Sequence, residues 1–252
     1  MKLAVAGGTG TVGRHVVDVA HARGHEVVVL ARSTGVDLVN GDGLADRLDG
    51  VNVVIDVTSV ATQSGTVSTR FFAAVAANLL AAESLAGVSH HIALSIVGSD
   101  RAPFGYYAGK SEQERLVVAG ASAFTILRAT QFHEFARQIY GQVRIGPITL
   151  VPKMISQPVA AREVGERLVE IAENEPLGHS TDLGGPEKLR MVEMVRAYAA
   201  AIGETTPIVE VPLPGGFGRA LRNGTLIPAA GADHGKQTFA EWIAQLARRE
   251  PS

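Results

Sequence analysis

The chain has 252 residues, 46 % of them apolar, and its 23 basic and 25 acidic side chains leave a net charge of −2. This length can bury one large domain, or a domain with a smaller lobe, and the lack of a basic excess argues against nucleic-acid and membrane partners. The chain contains no cysteine, which excludes disulfides, thiolate metal sites and a cysteine nucleophile. Because we find neither a signal-peptide pattern nor an apolar run of membrane length, we expect a cytoplasmic protein.

Strand and helix patterns alternate through the first half of the chain. Short runs rich in Val, Ile and Leu are typical of strands buried on both faces of a parallel sheet, and they occur at 2–6, 25–30, 36–39, 52–57, 90–96 and 123–128. Helical stretches lie between them at 11–23, 43–49, 66–86 and 104–119. This alternation predicts an α/β fold with a doubly wound parallel Rossmann sheet.

The second half is broken into short pieces by prolines, with helical patterns at 160–174, 187–202 and 237–249. We therefore predict a nucleotide-binding domain over 1–130 and a small lobe over 131–252 that caps the substrate. The helix at about 160–174 is expected to pack back on the first domain. Ligands of such sheets bind beyond the carboxyl ends of the strands.

The stretch GGTGTVG, residues 7–13, lies between the first predicted strand and the first predicted helix. Gly7 would allow a tight turn, Gly10 would let the backbone approach a pyrophosphate, and Gly13 would let the helix pack on the strand. The amide groups at the start of the helix would then face the phosphates. The predicted phosphate-binding residues are Gly7, Thr9, Gly10, Thr11, Val12 and Gly13. A glycine-rich turn without a ligand is the alternative.

The end of the second strand distinguishes NAD from NADP. NAD-binding proteins of this fold place an acidic residue there for the ribose 2′-hydroxyl, but this chain has no acid between Glu26 and Asp37. Arg32 and Ser33 stand at that position instead, and an arginine can pair with a 2′-phosphate. The sequence therefore favours NADP over NAD, unless Arg32 is a solvated loop charge.

Several motifs resemble those of the short-chain dehydrogenase/reductase superfamily, specifically its atypical NmrA-like branch. They include GGTGTVG, NGDGLADRL at 40–48, DVTS at 56–59, GYYAGKSEQERLV at 105–117 and FTILRATQFHEF at 124–135. The resemblance covers nearly the whole chain. It implies that Asp42 meets the adenine of the cofactor and that Thr58 and Ser59 lie along the cofactor.

Tyr106 and Lys110 form a Y-x-x-x-K motif on a predicted helix, and their spacing places both on one face. A nearby ammonium lowers the pKa of a phenol from its usual value of about 10. In the superfamily that the chain resembles, such a tyrosine gives a proton to a carbonyl oxygen while hydride leaves the nicotinamide, and the lysine also binds the ribose. The alternative is a packed tyrosine followed by a solvated lysine.

Two positions depart from the pattern of the superfamily. If Ser95 aligns with the first of the usual serines, the working serine position is occupied by Val97, and either Ser95 or Ser99 could substitute for it. The usual asparagine of the proton relay is also missing: Phe72 stands near its place, and we expect Asn78 to be structural. If the usual serine and asparagine are missing from the catalytic residues, the protein carries out modified chemistry or none.

Candidate substrate-binding residues follow the sixth strand. Phe132 could stack on a flat substrate, and Gln131 or His133 could bind a carbonyl or hydroxyl group; Ser95 is the fourth candidate. The alternative is that Phe132 belongs to the core and His133 to a helix surface. No His, Asp and Glu cluster has metal-ligand spacing, so we expect no metal.

Three hypotheses remain open. The leading one is an NADPH-dependent reductase acting on a carbonyl or quinone group of an apolar small molecule, a class that includes aromatic compounds. The second is an NADP-binding regulatory sensor of the NmrA-like kind without catalytic turnover, and the third is direct hydride transfer to a quinone without Tyr106. A homodimer through the helices at 66–86 and 104–119 is an arrangement that the sequence allows.

Overall fold

The computed structural model describes residues 1–120 and 122–249. In chain order its elements are β1 (Lys2–Ala6), α1 (Gly13–Ala22), β2 (Glu26–Leu30), β3 (Val53–Asp56), α2 (Gly65–Ala86), β4 (His90–Ile96), α3 (Tyr106–Ala119), β5 (Phe124–Ala129), α4 (Phe135–Gln142), β6 (Arg144–Ile145), β7 (Ile148–Pro152), β8 (Ile155–Ser156), α5 (Ala161–Ala172), β9 (Gly178–His179), β10 (Leu183–Gly184), β11 (Leu189–Arg190), α6 (Met191–Ala201), β12 (Ile208–Val211), α7 (Gly215–Arg222), β13 (Asp233–His234) and α8 (Phe239–Arg249).

The chain divides into two compact units. The first comprises residues 1–128 and 162–181, and the second comprises residues 129–161 and the chain from 182 onward. The segment 162–181 is thus part of the first unit. There Glu173 accepts hydrogen bonds from Arg23 and His25, which follow α1.

The first unit is built on a sheet with the strand order β9–β5–β4–β3–β1–β2. Strand β1 pairs in parallel with β2 on one side and β3 on the other, so that Val5 lies opposite Val29 and Ile55. The central strands lack polar alternation because both of their faces are buried. This arrangement confirms the predicted α/β fold with a mostly parallel Rossmann sheet.

The predicted strand at 36–39 and helix at 43–49 are wrong. Asp37 makes only an isolated antiparallel bridge to Asp42, and a short 3-10 turn covers Ala45–Arg47. The apolar residues that suggested regular elements are buried, but they lie in a loop that packs against the core of the first unit. They are Val36, Leu38, Leu44 and Leu48.

Among the helices of the described residues, α2 alone has the length and the apolar composition of a helix that could cross a membrane. The expectation that no apolar run reaches membrane length therefore does not hold for this segment. Core helices of soluble proteins pass the same test, and Phe72, Val75 and Leu79 on α2 are fully buried.

The second unit contains short strands separated by the prolines noted in the sequence. A three-stranded sheet has the order β12–β7–β6, with β12 parallel and β6 antiparallel to β7. Strand β8 pairs with β11 in antiparallel fashion, and β10 pairs with β13 in parallel fashion. Helices α4 and α6 pack together in this unit.

Candidate functional site

The turn between β1 and α1 requires glycine for two different reasons. Gly7 has a φ of +79°, in the left-handed region, and a Cβ there would approach the Val57 carbonyl oxygen at 3.0 Å. A Cβ at Gly13 would lie 2.6 Å from the Gly8 Cα and would clash with the Gly7 carbonyl oxygen. The chain therefore folds tightly on itself here, with the ends of β1 and β3 in close contact.

The same turn has room for a ligand at Gly10. A Cβ at Gly10 would lie 3.2 Å from the Gly7 carbonyl oxygen. Apart from its chain neighbours, no other described residue would come within 4 Å of it. Thr9, Gly10 and Thr11 are exposed, and α1 begins at Gly13 without a side-chain cap or an acidic residue in its first turn. This geometry fits the approach of a phosphate to the start of the helix.

Thr58, which follows β3, supplies a second indication of a ligand. Its side chain is buried, and its Oγ1 has no hydrogen-bond partner among the described residues. A Cβ at Gly7 would lie 3.1 Å from the Thr58 Cα. A buried hydroxyl beside a phosphate-binding turn, lacking a protein partner, fits a residue that hydrogen-bonds a bound nucleotide.

Arg32 and Ser33 lie in a 3-10 turn directly after β2, and both are exposed. Thr34 fixes the turn because its Oγ1 donates to the Val29 carbonyl oxygen at 2.8 Å. We find no hydrogen bond or ion pair of the Arg32 side chain in the part of the chain that is described. The guanidinium is thus available to an anionic group. Asp42 is exposed in the loop beyond this turn.

Tyr106 is the first residue of α3, and its hydroxyl lies 3.1 Å from the Ser59 Oγ. Its ring packs edge-on against Phe72, with centroids 5.5 Å apart. Burial raises the pKa of Tyr106 to about 12; the hydrogen bond from Ser59 lowers it and the charge of Asp56 raises it further. The expected lowering of this pKa is wrong, because burial outweighs the hydrogen bond with Ser59.

Lys110 lies one turn further along α3 and is 4 % exposed. Its ammonium donates to the Leu94 carbonyl oxygen at 2.8 Å, to Gln113 Oε1 at 3.0 Å and to the Thr58 carbonyl oxygen at 3.3 Å. An ammonium has three N–H groups, so these acceptors account for all of them. The predicted alternative of a solvated lysine is therefore wrong.

The ammonium of Lys110 also lies 4.3 Å from the centroid of the Phe72 ring. Burial lowers the pKa of Lys110 to about 8, although the charges of Asp56 and Glu114 raise it. Phe72, which the sequence placed near the position of the usual asparagine, thus contributes a cation–π contact to Lys110.

Asp56 and Gln113 are functional candidates that the sequence did not reveal. The Asp56 carboxylate is fully buried; its Oδ1 accepts from the Thr58 amide at 2.9 Å, and its Oδ2 accepts from Gln113 Nε2 at 2.7 Å. These bonds turn the amide oxygen of Gln113 towards Lys110. The spacing of three residues between Lys110 and Gln113 was the available signal, because it places both on one face of α3.

Gly109 brings α3 close enough to α2 for these contacts. A Cβ at this position would lie 2.6 Å from the Phe72 ring and would clash with the Ser68 hydroxyl. Ser68 in turn donates to the Tyr106 carbonyl oxygen at 2.8 Å, at the start of α3. The glycine in YYAGK therefore sets the position of both Tyr106 and Lys110.

Ser95 and Ser99 are both buried, and each hydroxyl donates to Oε1 of Glu114. The same carboxylate binds Arg128, whose Nη2 lies 2.6 Å from its Oε2. Val97, which stands at the working serine position if Ser95 aligns with the first of the usual serines, is fully buried. The two candidate serines thus belong to an interior polar cluster of the first unit.

Asn78 has the structural role that the sequence predicted. Its Nδ2 donates to the carbonyl oxygens of Leu38 and Val39, at 3.1 and 2.8 Å. It holds the loop after β2 against α2.

The remaining substrate candidates lie in the second unit. The Gln131 side-chain oxygen accepts from Ser156 at 2.8 Å, and Phe132 makes a bridge to Val159. His133 is fully buried, so the alternative of a surface residue is wrong for it. Its Nε2 lies 3.2 Å from the Gln237 carbonyl oxygen. Burial lowers the pKa of His133 to about 4, so it is neutral at physiological pH. Substrate binding by this set stays a prediction.

No family model matches the chain. No curated protein matches it by sequence. Among solved structures, it is similar to MoeE5 in complex with UDP-glucuronic acid and NAD, with a TM-score of 0.75, 16 % identity and 99 % of each chain covered. It is also similar to TunA, a NAD-dependent NDP-hexosamine 5,6-dehydratase involved in tunicamycin biosynthesis, with a TM-score of 0.72, 16 % identity and coverage of 98 % of this chain and 96 % of that one.

A third similar structure is a short-chain dehydrogenase/reductase superfamily protein from Agrobacterium tumefaciens with bound NAD. The TM-score is 0.69 at 21 % identity, over 99 % of this chain and 97 % of that one. At such identities the similarity shows the fold. That fold is the Rossmann α/β fold that the sequence predicted.

Proposed function

We propose that the protein is a nicotinamide-dinucleotide-dependent oxidoreductase of the atypical, NmrA-like branch of the short-chain dehydrogenases/reductases. The observation that carries the proposal is the position of Thr58. Its backbone is in close contact with Gly7 of the glycine turn, and its carbonyl oxygen accepts from Lys110 at 3.3 Å. The candidate phosphate site and the Tyr106–Lys110 pair are thus joined through one residue.

A bound reduced nicotinamide would supply a hydride to the substrate. Tyr106 would donate the proton from its hydroxyl to the carbonyl oxygen of the substrate, which becomes an alcohol. Since burial raises the pKa of Tyr106 to about 12, the phenol carries at neutral pH the proton that this step needs. Lys110 would stay charged below a pH of about 8 and would hold the end of β3 against α3.

The preference for NADP rests on Arg32, which is exposed at the end of β2 and would pair with a 2′-phosphate. Of the similar structures named above, MoeE5 and the Agrobacterium tumefaciens protein contain NAD, and TunA is NAD-dependent. We propose NADP for this chain because no acidic residue lies between Glu26 and Asp37.

The proposed substrate is a carbonyl or quinone compound of apolar character, and the proposed location is the cytoplasm.

A regulatory sensor that binds NADP without turnover is the second candidate. It is favoured by one observation: Ser95 and Ser99 are both buried against Glu114. One experiment separates the two candidates. Purified protein is mixed with NADPH or NADH and a panel of quinones and aromatic ketones, and the absorbance of the reduced nicotinamide is followed. Oxidation that depends on substrate supports the enzyme, whereas tight NADPH binding without oxidation on any substrate supports the sensor.

A further inference from the structure

We propose that Ser59 is the hydroxyl partner of Tyr106 and positions its phenol, a role for which Ser95 and Ser99 are not available because both donate to Glu114. The proposal deepens the proposed function and rests on it. Ser59 follows β3, and Tyr106 begins α3, yet their hydroxyl oxygens lie 3.1 Å apart. The sequence placed Ser59 with the cofactor and gave it no link to the tyrosine.

Ser59 is the hydroxyl that the geometry favours over its competitors. Ser95 and Ser99 are 2 % and 0 % exposed, and both donate to Glu114. Ser68 donates to the Tyr106 backbone and not to the phenol. The Ser59 hydroxyl is exposed and makes no second hydrogen bond among the described residues.

The buried network around Asp56 fixes the segment that carries Ser59. Asp56 Oδ1 accepts from the Thr58 amide, and Lys110 donates to the Thr58 carbonyl oxygen. Both polar groups of the peptide backbone at Thr58 are therefore held by charged side chains. A site held by a rigid, hydrogen-bonded support keeps its reacting groups in place without reorganisation.

The contribution of Ser59 follows from the proton balance of the proposed reaction. A bound reduced nicotinamide would supply a hydride to the carbonyl carbon, and the carbonyl oxygen would take the proton of Tyr106. The phenol is left as a phenolate, to which the Ser59 O–H donates a hydrogen bond until water returns the proton. A donor to the charged form makes the proton easier to give up.

The charges around Tyr106 set the background for this effect. Asp56 on β3 opposes ionisation of the phenol, and the hydrogen bond from Ser59 favours it. Lys110 on α3 directs its N–H groups to Leu94, Gln113 and Thr58, and Phe72 from α2 is uncharged. Ser59 is thus the contact that lowers the pKa of Tyr106.

The test uses a fluorinated tyrosine at position 106, whose more acidic phenol can be titrated by fluorine NMR below the pH at which the protein unfolds. Ser59→Ala should raise the midpoint by about 0.5 to 1 pH units, the effect of one lost hydrogen bond, and Ser59→Thr should restore it. The matched control is Ser89→Ala, because Ser89 donates to the Asn52 carbonyl oxygen near the opposite end of β3. It should leave the midpoint unchanged.

Turnover gives the second readout. In the unlabelled protein, Ser59→Ala should lower kcat about tenfold, and the pH profile of kcat should shift upward. An unchanged midpoint, or an equal shift in Ser89→Ala, would overturn the proposal. A shifted midpoint in a protein without turnover on any substrate would instead overturn the proposed function and support the Ser59–Tyr106 pair.

Discussion

Gln113 Nε2 donates a hydrogen bond of 2.7 Å to Oδ2 of Asp56, a carboxylate that is fully buried. The same amide accepts from Lys110 through its oxygen, at 3.0 Å. One glutamine thus donates to a buried anion and accepts from a buried cation. This arrangement explains how the first unit keeps two charged side chains in its interior.

Replacing Gln113 by Leu should destabilise the protein by about 1–3 kcal/mol. The change leaves one carboxylate oxygen of Asp56 without its donor and removes an acceptor of Lys110, which is the cost of unsatisfied buried groups. Denaturant unfolding measures the loss. Arg115→Ala, on the exposed face of the same helix, is the control and should barely move the midpoint. A stable Gln113→Leu protein would show that the network does not hold the fold.

The buried contact between His91 and Glu83 should make the free energy of unfolding fall as pH rises. Burial lowers the pKa of His91, but the charge of Glu83, its hydrogen bond at 2.8 Å and the charge of Asp56 together outweigh it, so the net pKa is raised. Stability from a raised pKa is fully present below the unfolded value of about 6.5 and is lost as pH rises through the folded value. The unfolding free energy should therefore fall over this window.

The matched comparison for this pH dependence is the neighbouring histidine. Burial and the charge of His91 lower the pKa of His90 to about 4. The contribution of His90 to the free energy of unfolding is therefore lost only as pH falls from about 6.5 towards 4. Unfolding curves measured from pH 5 to 9 separate the two slopes. If His91→Gln folds and keeps the slope above pH 6.5, the assignment to His91 is wrong.

Two glycines of the same turn should respond differently to substitution. Gly10→Val should leave the fold intact and abolish nucleotide binding, because the side chain would extend where the phosphates approach. Gly13→Ala should instead lower stability by about 1–3 kcal/mol, the usual cost of overpacking, because its Cβ has no space. Calorimetry with nucleotide and thermal unfolding measure both effects. Unchanged nucleotide affinity in a folded Gly10→Val protein would remove the proposed phosphate site.

Arg32→Ala should weaken NADPH binding by about 1.5–3 kcal/mol, the range for a charge-assisted hydrogen bond, with little effect on NADH. Arg47→Ala is the matched control, since Arg47 supports the same turn by donating to the Thr34 carbonyl oxygen at 2.9 Å. It should affect the two cofactors alike. Equal losses for NADPH and NADH in Arg32→Ala would assign Arg32 to support of the loop.

Local pattern predicted the sheet and missed the polar network. Strands such as VVID at 53–56 are mostly apolar, and the structure pairs them as expected for a parallel sheet. The run VDLV at 36–39 has a similar composition but lies in a loop, because burial against the core needs apolar residues without needing a strand. An apolar composition indicates that a segment is buried. Whether the segment forms a strand depends on a hydrogen-bonding partner strand from elsewhere in the chain.

The candidate site shows the same limit. The spacing of Tyr106 and Lys110 on one helix was visible in the sequence, as were the glycines of the first turn. The partners of these residues were not, since Ser59 and Tyr106 are 47 positions apart. Burial also reversed the expected direction of the Tyr106 pKa. Contacts and desolvation depend on the packing of distant segments, which spacing within one element does not encode.

The most direct test of the proposed enzyme compares single-turnover oxidation of NADPH by the wild type and by Tyr106→Phe, with saturating quinone and ketone substrates. The substitution keeps the ring against Phe72 and removes the proton, so the rate should fall about 10²- to 10⁴-fold with nearly unchanged NADPH affinity. Tyr107→Phe, at the next position, should retain the wild-type rate. A Tyr106→Phe protein that oxidises NADPH as fast as the wild type would contradict the account.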